Sequence, residues 1–307
     1  MEGMEGMEGM EEIKEMEETN ESVEEVSDAV VVEEEEEEKE GKRSEEAAVA
    51  EEKVSVIEFE LARDALLDFI NLASAGGLIE EVCFSVSEKG LLAVNTDPAN
   101  VMLSAVALPE DYMLSPPKRR RDEVWIEANR VSNLLMHVEK NEDIHVKVMK
   151  EKIEMRSATK KIVAPLLTEG RRKDFSKIVE ISDDLTVKPK FEYKYEYEVQ
   201  VSELLNALMI KDANIVFQCY ESGVSITQYD VDKEYETTTL FRYAEEGEVK
   251  CRVVLSYEYL RKILSVCNRS NYFVCRFAEE EMPPAFQYAS SNGVDAVFII
   301  APRIEME

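Results

Sequence analysis

Residue types that commonly carry out catalysis or bind metals are few in this sequence, and their spacing matches no familiar chemistry. The two histidines, His137 and His145, fit no metal-ligand pattern, and no glycine-rich phosphate loop occurs. The five cysteines form no CxxC pair, which is typical of small buried hydrophobic residues in a reducing compartment. The sequence therefore predicts no catalytic residue, no metal site and no cofactor. An enzyme would need carboxylates that are distant in sequence to converge in the fold.

Four segments repeat one apolar spacing. In each, hydrophobic residues recur at i, i+3, i+4 and i+7, which places them on one face of a helix. The four sets are Leu66-Phe69-Ile70-Ala73, Val131-Leu134-Leu135-Val138, Val201-Leu204-Leu205-Leu208 and Leu260-Ile263-Leu264-Cys267. Segments with strand character follow each helix. Four copies of a helix-plus-strands unit predict a duplicated α+β architecture, and duplicated architectures tend to build surfaces and rings rather than one buried active site.

The predicted elements divide the chain into a tail, two similar domains and a connector. The boundaries are 1–53 for the tail, 54–167 for the first domain, 168–192 for the connector and 193–307 for the second domain. The element order of Ile57 to Leu166 matches that of Val199 to Ala301. The connector has no clear period, and long connectors in compact proteins are often functional.

The acidic charge of the chain is concentrated in the tail. The formal net charge is -30, and residues 1–53 hold 23 acidic and 5 basic residues with no aromatic residue before Phe59. Such a composition predicts disorder, because too little apolar area is available to offset the ordering entropy. The tail is either a solvating segment or an acidic interaction arm that mimics the charge of DNA. Because neither a membrane span nor a secretory signal is evident, we expect an intracellular protein.

Three segments carry a resemblance to a known family. Phe298–Glu305 resembles the C-terminal signature of the archaeal and eukaryotic sliding clamps, the proliferating cell nuclear antigen family. Thr96–Leu103 resembles the aspartate-centred turn of the first clamp domain, and Leu78–Phe84 resembles its first helix-to-strand passage. The resemblance covers about residues 54–307, with archaeal members the nearer match. Residues 1–53 have no counterpart in it.

The resemblance implies a ring of three subunits, as a homotrimer or a heterotrimer. In this family the helices line a central hole that encloses duplex DNA, and the sheets form the outer surface. The ring tethers polymerase, flap nuclease and ligase to DNA through short peptide motifs and is opened by an ATP-driven clamp loader. It performs no chemistry itself. The implied location is with the DNA, in the nucleoid of an archaeon or the nucleus of a eukaryote.

A sleeve around DNA should offer dispersed cations to phosphates and no readout of bases. The residues that the resemblance places on or beside the helices for this role are Arg63, Arg130, Lys140, Lys211, Arg261, Lys262 and Arg269. The first two helices are less basic than the family pattern and carry Asp64 and Asp68. The basic run Lys118–Arg121 is either an extra contact to DNA or the loader, or a solvated loop.

The resemblance also implies a pocket for partner peptides beneath the connector, beside the C-terminus. The matching residues are Asn100, Val101, Leu103, Phe175, Ile178, Ile181, Pro283, Ala301 and Pro302. Subunits of the family join through edge strands, for which the matching segments are Lys152–Ser157 and Tyr235–Leu240. The first is flanked by cations and the second by acids, which favours head-to-tail closure.

Two other functions stay open at this stage. One is a specialised clamp subunit of a heterotrimer in repair or checkpoint signalling. The other belongs to a different class, an acidic interaction protein that acts through residues 1–53.

Overall fold

The computed structural model of the protein describes residues 56–168, 170, 173–229, 235–241, 248–279 and 282–303. The predicted acidic tail lies outside these ranges, as do Arg171 and Arg172 of the connector. Four short helices occur in the described part: α1 Arg63–Ala73, α2 Ala128–Leu135, α3 Val201–Ala207 and α4 Tyr257–Val266.

Nineteen strands accompany these helices in the described residues. The first half contains β1 Ile57–Ala62, β2 Glu81–Ser87, β3 Gly90–Thr96, β4 Met102–Pro109, β5 Met113–Ser115, β6 Arg121–Glu127, β7 Asp143–Val148, β8 Lys152–Arg156 and β9 Lys161–Pro165. The connector contains β10 Val179–Ile181 and β11 Val187–Pro189. The second half contains β12 Tyr195–Gln200, β13 Asn214–Cys219, β14 Val224–Tyr229, β15 Glu236–Phe241, β16 Cys251–Ser256, β17 Tyr272–Phe277, β18 Ala285–Ala289 and β19 Asp295–Ile300.

Each helix begins at the residue that directly follows a strand. The four junctions are Ala62 to Arg63, Glu127 to Ala128, Gln200 to Val201 and Ser256 to Tyr257. No loop intervenes, so the strand fixes the position at which the helix starts. The apolar sets that predict the helices are buried or partly buried, which confirms the fourfold repeat.

An antiparallel sheet of eight strands runs through both halves, in the order β12-β17-β18-β19-β4-β3-β2-β6. Its middle is the pairing of β4 with β19, in register from Met102 opposite Ile300 to Ala107 opposite Asp295. A second sheet has the order β5-β1-β7-β8-β9, and a third has the order β15-β14-β13-β16. The halves therefore share one continuous sheet, and each also has a sheet of its own.

The central sheet is covered on both faces. On β4, Met102, Val106 and Leu108 belong to the main hydrophobic core, which also contains the buried residues of all four helices. The alternate residues Leu103 and Ala105 belong to a second cluster beneath the connector. Because successive side chains point to opposite faces of a strand, this double cover explains the nearly unbroken apolar run in β4.

Two predictions about the strands need correction. The segment Lys152–Ser157 is not an edge, because β8 lies between β7 and β9, and β9 is the outer strand. The tight turn in which the Ser157 amide bonds the Lys160 carbonyl at 2.9 Å returns the chain along β8 and covers it. The second predicted edge is correct, since β15 is an outer strand of its sheet. The connector, predicted without regular structure, contains the β10–β11 hairpin.

A buried aspartate links the turn before β4 to α4. Asp97 is 3% exposed, and its carboxylate accepts hydrogen bonds from the amides of Met102 at 2.7 Å and Ala99 at 3.2 Å. The hydroxyl of Tyr259, on α4, donates to the same carboxylate at 2.8 Å. Burial, and then the bond to Asp97, raise the pKa of Tyr259 to about 12. This contact ties a turn of the first half to a helix of the second.

Replacing Tyr259 by phenylalanine should lower the free energy of unfolding by about 1–2 kcal/mol, because the buried carboxylate loses a donor and water cannot fully replace it. Chemical denaturation monitored by circular dichroism measures the change. The matched control is Tyr257→Phe on the same helix, since the Tyr257 hydroxyl makes no hydrogen bond among the described residues. Equal losses in both variants would contradict the role of the Asp97 contact.

Candidate functional site

The four helices form a row on one side of the central sheet. Contacts between neighbouring helices give the order α2, α1, α4, α3. At the junction of α1 and α4, Gly76 has a φ of +69°, and a Cβ on it would lie 2.3 Å from the Lys262 carbonyl oxygen. Only glycine allows so close an approach of the two helices. The outer surface of this row is the candidate DNA-facing surface.

Six of the seven predicted cations are placed at or beside this row with their side chains at least partly exposed. Arg130 on α2 is exposed and lies 3.8 Å from the Glu127 carboxylate. Lys262 on α4 is exposed and Arg261 is half-buried. The remaining three are exposed and follow α2, α3 and α4 in sequence: Lys140, Lys211 and Arg269.

Arg63 does not present its charge to solvent, and its predicted role as a DNA-facing cation is wrong. The residue is 6% exposed. Its Nε donates to the Leu135 carbonyl at 3.1 Å, and its Nη1 lies 2.6 Å from the Asp64 carboxylate. The guanidinium therefore adds a second hydrogen bond to the carbonyl at the last residue of α2, which also accepts one from the Val138 amide at 3.0 Å. Within the sequence of α1, Arg63 is the only cation, so the helix offers none to DNA.

Asp68 on α1 is also directed into the protein. The Asn292 side-chain amide donates to its carboxylate at 2.9 Å, which connects α1 to the turn between β18 and β19. Burial raises the pKa of the Asp68 carboxyl, and hydrogen bonds from Asn292 and Ser290 oppose the rise only in part. The protonated form of Asp68 is thus more favourable in the folded protein than in the unfolded chain.

The predicted partner pocket is partly assembled. The Ala301 amide donates to the Val101 carbonyl at 2.7 Å, so the C-terminal segment lies directly beside the turn before β4. The Lys173 ammonium contacts the Asn100 side chain, which brings the start of the connector to the same place. Val101, Ala301 and Pro302 are all half-buried. We call the surface formed by Asn100, Val101, Ala301 and Pro302 the junction surface.

Other predicted pocket residues have a different position. Leu103 is buried beneath the connector, where Phe175 and Ile178 pack on the same cluster. These three side chains therefore hold the connector on the sheet. The Pro283 carbonyl accepts a hydrogen bond from the Tyr193 hydroxyl at 3.0 Å, which fixes the end of the connector, and Ile181 is exposed on β10.

A cavity of about 340 Å³ opens beside the junction surface, and sequence reasoning missed it. Thr96, Asp97 and Pro98 form one side, and Phe175 and Lys173 of the connector form another. Trp125, the only tryptophan of the chain, also lines the cavity. A Cβ on Gly170 would lie 2.9 Å from the Trp125 ring, so the connector crosses this indole closely. Trp125 and Gly170 are far apart in sequence, so no local pattern indicates this cavity.

The two outer strands that could join subunits both expose apolar side chains. On β9, Val163 is 50% exposed, and on β15, Leu240 is 61% exposed. Each strand also leaves one side of its backbone unpaired within the described residues. Open apolar edges are usually covered in a stable protein.

Two negative findings apply to the described residues. None of their helices is long and apolar enough to cross a membrane. No cluster of three or more histidine, cysteine, aspartate or glutamate side chains among them could hold a metal ion.

A strand-helix-strand unit repeated four times, with the helices in a row on one face of a shared sheet, defines a clamp-fold protein. No family model matches the chain. The DNA polymerase sliding clamp of Methanococcus vannielii is 24% identical over 255 residues, covering 78% of this chain and 96% of the relative. The DNA polymerase sliding clamp of Thermococcus onnurineus is 24% identical over 258 residues, covering 80% of this chain and 99% of the relative.

Solved structures agree with this fold. A structure described as the C-terminal region of FEN-1 bound to A. fulgidus PCNA matches with a TM-score of 0.65 at 19% identity, over 82% of this chain and 100% of that one. PCNA from Thermococcus kodakaraensis matches with a TM-score of 0.65 at 18% identity, over 80% of this chain and 100% of that one. The α+β clamp fold and the predicted resemblance to the PCNA sliding clamps are thereby confirmed.

The raised pKa of Asp68 predicts how stability depends on pH. The folded protein holds the Asp68 proton more tightly, so the stabilising contribution is full below the ordinary pKa of 3.8 and is lost as the pH rises through the folded-state pKa. Asp68→Asn, which stays neutral, should therefore have a higher melting temperature than the parent at pH 7. The advantage should shrink as the pH falls towards 4, as measured by differential scanning calorimetry. Asp111→Asn, at an exposed site, is the control, and a pH-independent difference for Asp68→Asn would contradict the assignment.

Proposed function

We propose that the protein is a DNA sliding clamp, which encircles duplex DNA and tethers polymerase and other DNA-processing enzymes. The observation that carries the proposal is the row of four helices on one face of a sheet that runs through both halves. The similarity to sliding clamps over nearly their whole length supports it. We further propose that the chain acts without catalysis of its own, inside the cell where the DNA is, and with the domain boundaries predicted from the sequence.

The six exposed or half-exposed cations of the helix row supply a contact with DNA that does not depend on sequence. Their charges lie on α2 and α4 and in the turns after α2, α3 and α4, so they match phosphates along the duplex rather than one base pair. Such contacts position a protein on DNA and carry no base information. A ring with dispersed and modest attraction remains on the duplex while moving along it.

Ring closure is proposed through β9 of one subunit and β15 of the next. The two strands would continue one sheet across the subunit boundary and bury Val163 and Leu240. Lys160 and Lys161 lie at the start of β9, and Glu236 opens β15, so their charges are complementary. Because the two edges differ, the contact is heterologous, and a rotation that closes produces a ring.

Partner proteins are proposed to dock at the junction surface. Its half-buried apolar residues lie beside the exposed Asn100 and the mouth of the neighbouring cavity, which suits a short peptide with apolar anchors. In the A. fulgidus PCNA structure a C-terminal region of FEN-1 is bound. By analogy, flap nuclease, polymerase, ligase and clamp loader are the proposed partners here.

A specialised clamp subunit is the second candidate. The burial of Arg63 favours it, because α1 then has no cation to offer to DNA. A subunit with such a surface would depend on more basic sister subunits within a heterotrimer. A solved complex of two different clamp chains, PCNA2 and PCNA3 of Sulfolobus tokodaii, matches this fold with a TM-score of 0.62.

The ring is tested by placing a charge on each proposed edge. Val163→Glu combined with Leu240→Glu should convert a complex of three times 35.1 kDa into monomers, as measured by size-exclusion chromatography with light scattering. The same variant should lose stimulation of a polymerase on primed circular DNA, because an open chain cannot remain on it.

The matched control is Met209→Glu, an apolar residue that is 72% exposed and lies on neither edge. It should leave the mass unchanged. If the parent is monomeric even with all co-purifying subunits present, the ring proposal fails. Assembly only with a sister chain would select the heterotrimer.

The junction surface is tested with a peptide carrying the C-terminal sequence of FEN-1. Val101→Glu should weaken binding of this peptide at least about tenfold in isothermal titration calorimetry, since a charge replaces an apolar contact. Val249→Glu provides a control at an exposed valine elsewhere in the chain. Unaltered peptide affinity in a folded Val101→Glu variant would rule out docking at this place.

A further inference from the structure

Strand β1 is paired along its full length on one side only. On that side β7 pairs with all six residues, from Ile57 to Ala62. On the other side β5 pairs only with Glu60 and Leu61. Within the described part of the chain, no strand continues this pairing along Ile57–Phe59. Among the described residues, one edge of the five-stranded sheet is therefore open over half of β1.

Two prolines end the pairing of β5 with β1. Ser115, the last residue of β5, lies opposite Glu60, and Pro116 and Pro117 follow it. A proline has no amide hydrogen to donate to a ladder, and its fixed φ directs the chain out of the sheet. The two prolines thus end β5, and no other strand of the described residues takes its place along Ile57–Phe59.

A cavity of about 340 Å³ lies along this open edge. One side consists of residues Val56 to Glu60 of the β1 region, and the other consists of Ser115, Pro116, Lys118 and Arg119. Ser115, where the pairing of β5 with β1 ends, lines this space, so a strand placed in it beside β1 would extend the existing pairing. We call this space the β1 groove.

The charges at the β1 groove favour an acidic occupant. Lys118 and Arg119 are exposed on its rim. Two acidic residues, Glu58 and Glu60, also line the groove. Glu58 is compensated, because the Lys147 ammonium lies 2.8 Å from its carboxylate, and the His145 imidazole lies 3.5 Å from the same group. The hydrogen bond from Lys147 is the main cause of the lowered pKa of Glu58.

We propose that an extended acidic segment of a partner protein adds to the sheet along Ile57–Phe59, with its acidic side chains beside Lys118 and Arg119. Main-chain hydrogen bonds supply affinity in such strand addition, and alternate side chains supply specificity. Nucleic acid would use the same cations, but it has no amide backbone to satisfy the open edge. This docking surface is separate from the junction surface and goes beyond the sliding-clamp function.

The test uses a fluorescein-labelled peptide of eight residues that alternates valine and glutamate, with the full chain as receptor. Fluorescence anisotropy should show saturable binding, and Lys118→Glu with Arg119→Glu should weaken it at least about tenfold, because attraction becomes repulsion. Lys188→Glu with Lys190→Glu makes the same change of charge on the connector and should leave the affinity unaltered. Circular dichroism confirms that both variants are folded.

Two further measurements separate strand addition from simple attraction of charge. A peptide of the same sequence with alternate amides N-methylated should bind about tenfold more weakly, because it cannot complete the ladder. Hydrogen exchange should slow in the segment 57–59, which β5 leaves unpaired, when the unmodified peptide is bound. Equal binding of both peptides, no binding of either, or equal loss in the connector variant would overturn the proposal.

Other occupants of the β1 groove give distinct results, and each would also overturn it. Duplex DNA that binds with the same dependence on Lys118 and Arg119, and displaces the peptide, would assign the surface to nucleic acid. Self-association that the Lys118→Glu and Arg119→Glu changes abolish would assign the edge to a second copy of the chain.

Discussion

The pairing of β4 with β19 is the constraint on which the rest of this molecule depends. It joins a strand of the first half to the last strand of the second over six consecutive residue pairs. Without it, the two halves would have separate sheets and two further open edges. With it, one sheet of eight strands runs through the described chain, and all four helices share one hydrophobic core with this sheet.

The shared sheet gives its two faces different tasks. One face receives the four helices. Each helix begins directly at a strand end, so the strand fixes its starting position. The other face receives the connector, whose Phe175 and Ile178 pack over Leu103. The Asp97–Tyr259 contact then holds the turn that precedes β4, and this turn supplies Asn100 and Val101 to the junction surface. The pairing of β4 with β19 therefore positions both the proposed DNA-facing surface and the junction surface.

The helices and most strands were predictable because their signals are local. Apolar spacing within a few residues is enough to define a buried helical face, as for Leu66 and Phe69. Arg63 was mispredicted because its burial depends on Leu135, which lies 72 residues away in sequence. The edge strand was misplaced for a similar reason, since only the order of strands in the sheet shows that β9 covers β8. The cavity beside Trp125 requires three distant segments to meet, and no local pattern encodes that.

The burial of Arg63 connects the fold to the electrostatics of the proposed hole. Its guanidinium donates a hydrogen bond to the Leu135 carbonyl at the end of α2 and so stabilises the contact between α1 and α2. The charge is then buried and is not presented on the helix surface. The remaining cations lie on α2 and α4 and in the turns after α2, α3 and α4, so attraction to phosphates is uneven around the row. Affinity for DNA rises steeply with the number of phosphates neutralised, and these contacts carry no base information. A clamp that encloses the duplex needs few such contacts to stay on it. In this chain Arg63 therefore bonds the end of α2 and Asp64 instead of phosphate, and enclosure rather than affinity keeps the proposed ring on DNA.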